Sequence, residues 1–224
     1  MKVMILAAGR GERLRPLTDR LPKPLIEVRG KPLIHWHLER LAAAGFRDVV
    51  INISHLGHLI EQALGDGRPW GLSIAWSREV TPLETAGGIA RARAMGLLGE
   101  APFALLNADV FCEYPLAGLP AIRLGERLGH IVLVPNPAFR PQGDFSLRDS
   151  EVGNLCAPRY TYSGIGVLDP RIVDGTPADA RAALGPVLKQ AAASGRLGGE
   201  VYAGTWNDAG TPERLEELNR NPDR

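Results

Sequence analysis

Cysteine is almost missing from this chain: Cys112 and Cys156 are the only two in 224 residues. Two isolated thiols build neither a disulfide framework nor a cysteine-rich zinc site, and they read as packing residues of a reduced compartment. No apolar run approaches the roughly 18 residues that a membrane-crossing helix needs. No charged leader followed by an apolar stretch opens the chain, so a cytoplasmic location is expected. An excess of charge is missing too, with 26 Lys and Arg against 25 Asp and Glu and a formal net charge of +1. So balanced a surface does not suit general binding to nucleic acid or a membrane, and any cationic site has to be local. The five histidines show no metal-ligand spacing backed by carboxylates, and no Ser or Cys nucleophile pattern occurs. No heptad repeat marks a partner helix, and a monomer is the expectation.

What is present begins at the first residues. Val3-Met4-Ile5-Leu6-Ala7-Ala8 is a compact apolar run of the length of a buried strand. Gly9 and Gly11 follow at once, then Arg13, Arg15 and Pro22-Lys23-Pro24. Glycines let backbone N–H groups approach an anion with no Cβ in the way, and Arg and Lys neutralise its charge. The stretch therefore predicts a site for a nucleoside triphosphate. A dinucleotide fingerprint needs a third glycine where Leu14 stands, and the Gly-Lys-Ser/Thr of a P-loop is absent.

The length suits one substantial core, so residues 1–224 are read as a single domain. Leu33 to Ala44 carries an apolar stripe at helical spacing, and Gly45 suits its C-terminal cap. Val49 to Ile53 reads as a strand, His55 to Leu64 as a helix and Leu72 to Trp76 as a strand. This alternation predicts an α/β chain with a mainly parallel central sheet and a ligand along the strands' carboxyl edge. Leu83-Glu84-Thr85-Ala86-Gly87-Gly88 leads into a helix expected from about Ile89, a start that would expose backbone donors to a flat ligand or simply cap the helix. Phe103 to Asp109 is a buried strand running into a carboxylate, either a cap for the next segment or a cation ligand. A helix is expected over Pro115 to Leu128, a strand at Ile131 to Val134, then short polar strands around Gly143 to Leu147 and Arg159 to Tyr162. Ala180 to Ala193 reads as a helix and Val201 to Thr205 as a strand. Thr211 suits the cap of a last helix that opens on Pro212 and buries Leu215 and Leu218.

Leu6-Ala7-Ala8-Gly9-Arg10-Gly11-Glu12-Arg13-Leu14, with Pro22-Lys23-Pro24 beyond it, resembles the sugar-1-phosphate nucleotidyltransferases. Leu83 to Gly88, Asn107-Ala108-Asp109 and Trp206-Asn207-Asp208-Ala209-Gly210-Thr211-Pro212 match further motifs of that family, so the resemblance spans essentially the whole chain. One departure is Ala108, where members usually carry Gly. The resemblance implies a Rossmann-like three-layer fold with a small β-rich sugar-binding insertion at about residues 135–165. It also implies partners, UTP and a sugar 1-phosphate, and a cofactor, Mg²⁺, held by Asp109 and Asp208. Carried over, Ala7, Ala8, Gly9, Gly11, Glu12, Arg13 and Lys23 bind the nucleotide's phosphates, and Glu84, Thr85 and Gly88 its nucleoside. Asn107, Gly143, Asp144 and Ser163 hold the sugar, and Arg13, Lys23 and Asp109 act in catalysis.

Overall fold

The computed structural model describes residues 1–220. In chain order the strands and helices are β1 (Val3–Leu6), β2 (Glu27–Val28), β3 (Lys31–Pro32), α1 (Leu33–Ala43), β4 (Asp48–Ile53), α2 (Gly57–Leu64), β5 (Ser73–Arg78) and α3 (Glu84–Ala94). Then come β6 (Phe103–Asn107), β7 (Val110–Cys112), β8 (Gly129–Val134), β9 (Phe145–Arg148), β10 (Glu151–Gly153) and β11 (Arg159–Leu168). The last are α4 (Leu184–Ala193), β12 (Leu197–Val201), β13 (Trp206–Asp208) and α5 (Pro212–Arg220).

Nine strands form one sheet in the order β5-β4-β1-β6-β11-β8-β12-β10-β9. β5, β4, β1 and β6 are mutually parallel, and β12 runs parallel to β8. β11 lies antiparallel between β6 and β8. β1 shows why helices cover both faces. Val3 and Ile5 join an apolar layer with Leu38 of α1 and Ile60 of α2, whereas Met4 joins the opposite layer with Ile89 of α3 and Leu188 of α4. Successive strand residues face opposite sides, so a continuous apolar run is stable only between two helical layers. Each such side chain, once buried, stabilises the fold by about 1.5–3 kcal/mol.

The sheet grows from β1 through β4 to β5, then β6 returns to β1's other flank. That reversal leaves a crevice at the carboxyl ends of β1 and β6, the place where open α/β sheets bind ligands. Residues 135–165 hold β9, β10 and the start of β11, and β9 and β10 extend the main sheet. β9 also pairs with the start of β11, curling that edge back on itself.

Several sequence expectations are corrected. The helix expected over Pro115 to Leu128 is only a short 3₁₀ stretch, Leu116–Ala121, because Pro120 removes a donor and Gly118 and Gly125 weaken helical propensity. α3 begins at Glu84 and not near Ile89, and α4 begins at Leu184 and not at Ala180. The strand expected at Val201 to Thr205 is instead β12, which ends at Val201. Arg159 to Tyr162 is no separate strand but the start of β11, which continues through a bulge between Tyr162 and Ile165. The final helix follows expectation: it opens on Pro212, Thr211 accepts from the Arg214 N–H at 3.4 Å, and Leu218 is buried. No helix among the described residues is long and apolar enough to cross a membrane.

Candidate active site

A cavity of about 930 Å³ opens at the carboxyl ends of β1 and β6. Ala7, Ala8, Gly9, Gly11, Glu12, Arg13 and Lys23 line it from the first loop, Glu84 and Thr85 from the start of α3, and Asn107 and Asp109 from the end of β6. Residues from three separate runs of sequence thus meet, as parallel strands require when they end at one edge.

The first loop is shaped by its glycines. Gly11 adopts φ +65°, and a Cβ there would stand 2.8 Å from Thr18 Cγ2, so both its conformation and its neighbour exclude a side chain. Thr18 is buried and donates to the Gly11 carbonyl at 2.9 Å, fixing the turn. Gly9 has nothing within 4 Å of its missing Cβ, so its backbone is open to the cavity. Beneath it, Lys23 Nζ donates to Asp109 Oδ2 at 2.7 Å; the lysine side chain is 9% exposed and the aspartate 39%. A buried ammonium without a counter-ion would be costly. Asp109 supplies that charge at the cavity, where an incoming anion can share the lysine.

The start of α3 is built differently, and here the expected exposed donors are corrected. The Ala86 and Gly87 N–H groups both donate to the Ala182 carbonyl, at 2.8 and 3.0 Å, so they are used within the chain. Thr85 Oγ1 accepts from Leu184 N at 2.7 Å, and Ala182 N donates back to the Leu83 carbonyl at 2.9 Å. The segment before α4 is thereby strapped across the first turn of α3. Glu84 opens that helix at φ +61°, a conformation that costs an L-residue roughly 1–2 kcal/mol. Its carboxylate pairs with Arg181 at 2.8 Å, across the cavity rim.

The cavity also contains residues that sequence reasoning passed over. Asn52, at the end of β4, accepts from Ala7 N at 2.8 Å and donates to Glu79 Oε1 at 2.7 Å. The other oxygen of Glu79 accepts from Leu83 N at 2.8 Å. A buried relay therefore joins the first loop to the start of α3, and burial raises the Glu79 carboxyl pKa above the usual range. A lone Asn inside the apolar run Val49 to Ile53 was the available signal, because a buried amide has to be satisfied. Arg181 and Asp179 carried no such signal.

Five expected residues do not line the cavity. Gly88 is buried against the relay, where a Cβ would stand 2.6 Å from Asn52 Nδ2. Ser163 is buried at the β11 bulge, donating to the Val132 carbonyl at 2.7 Å and accepting from Ile165 N at 3.1 Å. Gly143 takes φ +59° in a turn against Asn136, and Asp144 accepts from Tyr162 N at 2.9 Å and Arg140 Nη1 at 3.0 Å. Asp208 lies on β13, paired with Val110 in the β7–β13 ladder, and Ala209 N donates to the Asp109 carbonyl at 2.9 Å. The two aspartates expected to share a cation are therefore neighbours in the backbone, although the Asp208 carboxylate pairs with Arg214. No cluster of three or more His, Cys, Asp or Glu side chains poised for a metal occurs among the described residues. His37, buried beneath the Ala108–Val110 segment with neither ring nitrogen well hydrogen-bonded, is held neutral by burial, its pKa lowered to about 4.

A glycine loop with cations at a β-strand's end, a strand-terminal aspartate and a strapped helix start together describe a phosphate-transfer cavity. The chain belongs to the nucleotidyl transferase family, whose sequence model matches residues 2–128. Within that family it is 49% identical to the N-acetylmuramate alpha-1-phosphate uridylyltransferase of Neisseria meningitidis, over 97% of this chain and 96% of that protein. It is 35% identical to the protein of the same name from Caulobacter vibrioides, over 94% and 92%. Among solved structures, HddC from Yersinia pseudotuberculosis in complex with GMP-PN shares the fold, with a TM-score of 0.79, 21% identity and 99% of both chains covered. The chain is a sugar-1-phosphate nucleotidyltransferase of α/β fold.

Proposed function

We propose that the chain transfers the uridylyl group of UTP to N-acetylmuramate α-1-phosphate, forming UDP-N-acetylmuramate and pyrophosphate in the recycling of cell-wall sugar. The observation that carries this reading is the near-full-length 49% identity to a protein named for that activity. Supporting it, the cavity holds the cations and open backbone that such a reaction needs.

A phosphate oxygen of the sugar 1-phosphate attacks the α-phosphorus of UTP, and the bond from that phosphorus to the bridging oxygen of the departing pyrophosphate breaks. The nucleophile is an anion at neutral pH and needs no general base. The barrier is bringing like charges together, so fixed donors and cations supply most of the catalysis. The Gly9 and Gly11 backbone and Arg13 take the β- and γ-phosphates, and Lys23 lies where the two substrates' charges meet. Glu84 and Thr85 face the nucleoside, and Asn107 faces the sugar. Its Oδ1 has no hydrogen-bond partner among the described residues, and the residue lines the cavity. Gly88, Gly143, Asp144 and Ser163 serve the site indirectly, by fixing the backbone on which it stands.

Asp109 and Asp208 fit Mg²⁺ by chemistry: both are oxygen donors, they sit on adjoining backbone, and Mg²⁺ takes one or two carboxylates plus substrate phosphates. Bound there, the ion supplies positive charge to the reacting phosphates. We place the protein in the cytoplasm, as a single-domain monomer.

Pyrophosphate release should be measured with UTP, GTP, CTP and dTTP against N-acetylmuramate 1-phosphate, N-acetylglucosamine 1-phosphate, glucose 1-phosphate and mannose 1-phosphate. The expected outcome is that UTP with N-acetylmuramate 1-phosphate has the highest kcat/KM. A higher value for another pair reassigns the substrates, and UTP binding with no turnover on any sugar phosphate overturns the enzymatic reading.

A further inference from the structure

Arg214 has no part in the reaction as described, yet it touches both the 208–211 run before its own helix and the distant loop that carries Phe139. Its Nη1 donates to Asp208 Oδ1, and its Nε reaches Thr211 Oγ1 at 3.4 Å. Its guanidinium lies over the Phe139 ring, 4.1 Å from the centroid. The side chain is 11% exposed, so these contacts form largely out of solvent. Gly210 shows how tightly the group is placed. A Cβ there would stand 2.8 Å from Arg214 Nη2, 3.0 Å from Arg13 Nη2 and 3.0 Å from Asp208 Oδ1. Both guanidiniums and the carboxylate therefore crowd one point at the edge of the cavity, of which Arg13 and Gly210 are lining residues.

Phe139 is the odd member. It is 47% exposed, in the polar loop between β8 and β9, and its ring is held by a cation from the last helix. A planar, weakly hydrated guanidinium can stack on a ring and bond a carboxylate at once, which an ammonium cannot reproduce. We propose that Arg214 is a positioning residue that couples the 135–144 loop to Asp208: seating of the loop through Phe139 sets the guanidinium, and the guanidinium sets the direction of the carboxylate. In the proposed reaction this joins the sugar side of the site to its metal side. It rests on that reading for its consequence, but the coupling itself does not.

The test uses the full chain carrying Phe139→Ala, Arg214→Ala, Arg214→Lys or both alanine changes. Without substrate or metal, hydrogen exchange in the 136–144 segment should rise about three- to tenfold in Arg214→Ala, the scale of losing one cation–π contact. With substrates, Phe139→Ala and Arg214→Ala should each raise the Mg²⁺ concentration for half-maximal rate and the KM for the sugar phosphate by similar factors, with the KM for UTP little changed. The double variant should be no worse than the worse single, as expected for residues acting as a unit. Arg214→Lys should fail to restore either property. Rescue by lysine, or a Phe139→Ala enzyme with unchanged Mg²⁺ dependence and sugar-phosphate KM, would overturn the coupling. Should the protein turn over no sugar phosphate, unchanged exchange in Arg214→Ala would reject the coupling independently, provided its unfolding midpoint matches that of the parent.

Discussion

Two glycine-bearing segments border the cavity, and they look alike in sequence and behave oppositely in space. Gly9 to Arg13 leaves β1 with its first glycine facing open space, and Gly11 in a left-handed turn. Glu84 to Gly88 begins a helix, yet its glycines face protein. A Cβ on Gly87 would collide with the Ala180 carbonyl oxygen, and one on Gly88 would meet Asn52 and Glu79. The first segment leaves the Gly9 backbone open to the cavity. The second spends its donors on Ala182, and its glycines let other backbone come close. Glycine marks close approach in both, but only the tertiary neighbours say whether the approaching group is substrate or chain.

The largest effect that tests this contrast is at Lys23, on the open side. Lys23→Ala is expected to lower kcat by about two to three orders of magnitude, the scale of losing one preorganised charge-stabilising group. Because Asp109 is 39% exposed and remains solvated, the unfolding midpoint should move little. Near-parental turnover would remove Lys23 from the reaction.

The next effect separates the two segments directly. Gly87→Ala forces backbone apart and should cost about 1–3 kcal/mol of stability, read as a lower urea midpoint. Gly9→Ala should leave that midpoint unchanged within about 0.5 kcal/mol, because nothing opposes its Cβ, and instead raise the KM for UTP or lower kcat. If Gly87→Ala unfolds normally while Gly9→Ala unfolds early, the contrast is reversed and the account fails.

The smallest effect concerns the support beneath Asp109. His37 has its pKa lowered to about 4 by burial, so below the ordinary value of 6.5 the unfolded chain binds a proton that the folded chain refuses. Stability from this group is therefore complete above pH 6.5 and declines as pH falls from 6.5 towards 4. Between pH 7 and pH 5.5 the loss should be about 1 kcal/mol, and His37→Gln should flatten that part of the profile. An unchanged slope in the variant would mean that the histidine is not held neutral.

Parts of the site were readable in advance for a definite reason. Ala7 to Arg13 and Asp109 follow apolar runs, and a parallel sheet brings such ends to one edge, whereas Lys23 stood out as a cation just beyond the glycine loop, within Pro22-Lys23-Pro24. Thr85 was readable as a site residue but not in its geometry, because the strap that uses its hydroxyl comes from Leu184, 99 positions away. The helix expected over Pro115 to Leu128 fails for a local reason that the sequence does carry, since Pro120, Gly118 and Gly125 all disfavour a helix. Asp144 shows the opposite limit. Gly-Asp before a strand fits a sugar contact or a turn equally well, and the structure uses its carboxylate on Tyr162 N and Arg140.

By itself the sequence determined the α/β class, the strand that ends in a glycine loop with cations beyond it, and the strand that runs into Asp109. These follow from hydrophobic period and from residue types whose chemistry is local. Only the tertiary structure decided that the Glu84 to Gly88 donors are turned inward, that Arg181 closes over Glu84, and that Asp208 is held by Arg214 under Phe139. The first two depend on partners about a hundred positions away, and the third joins the nearby Asp208–Arg214 pair to the distant Phe139. Hydrogen bonding, ion pairing and close packing are settled by distance in space.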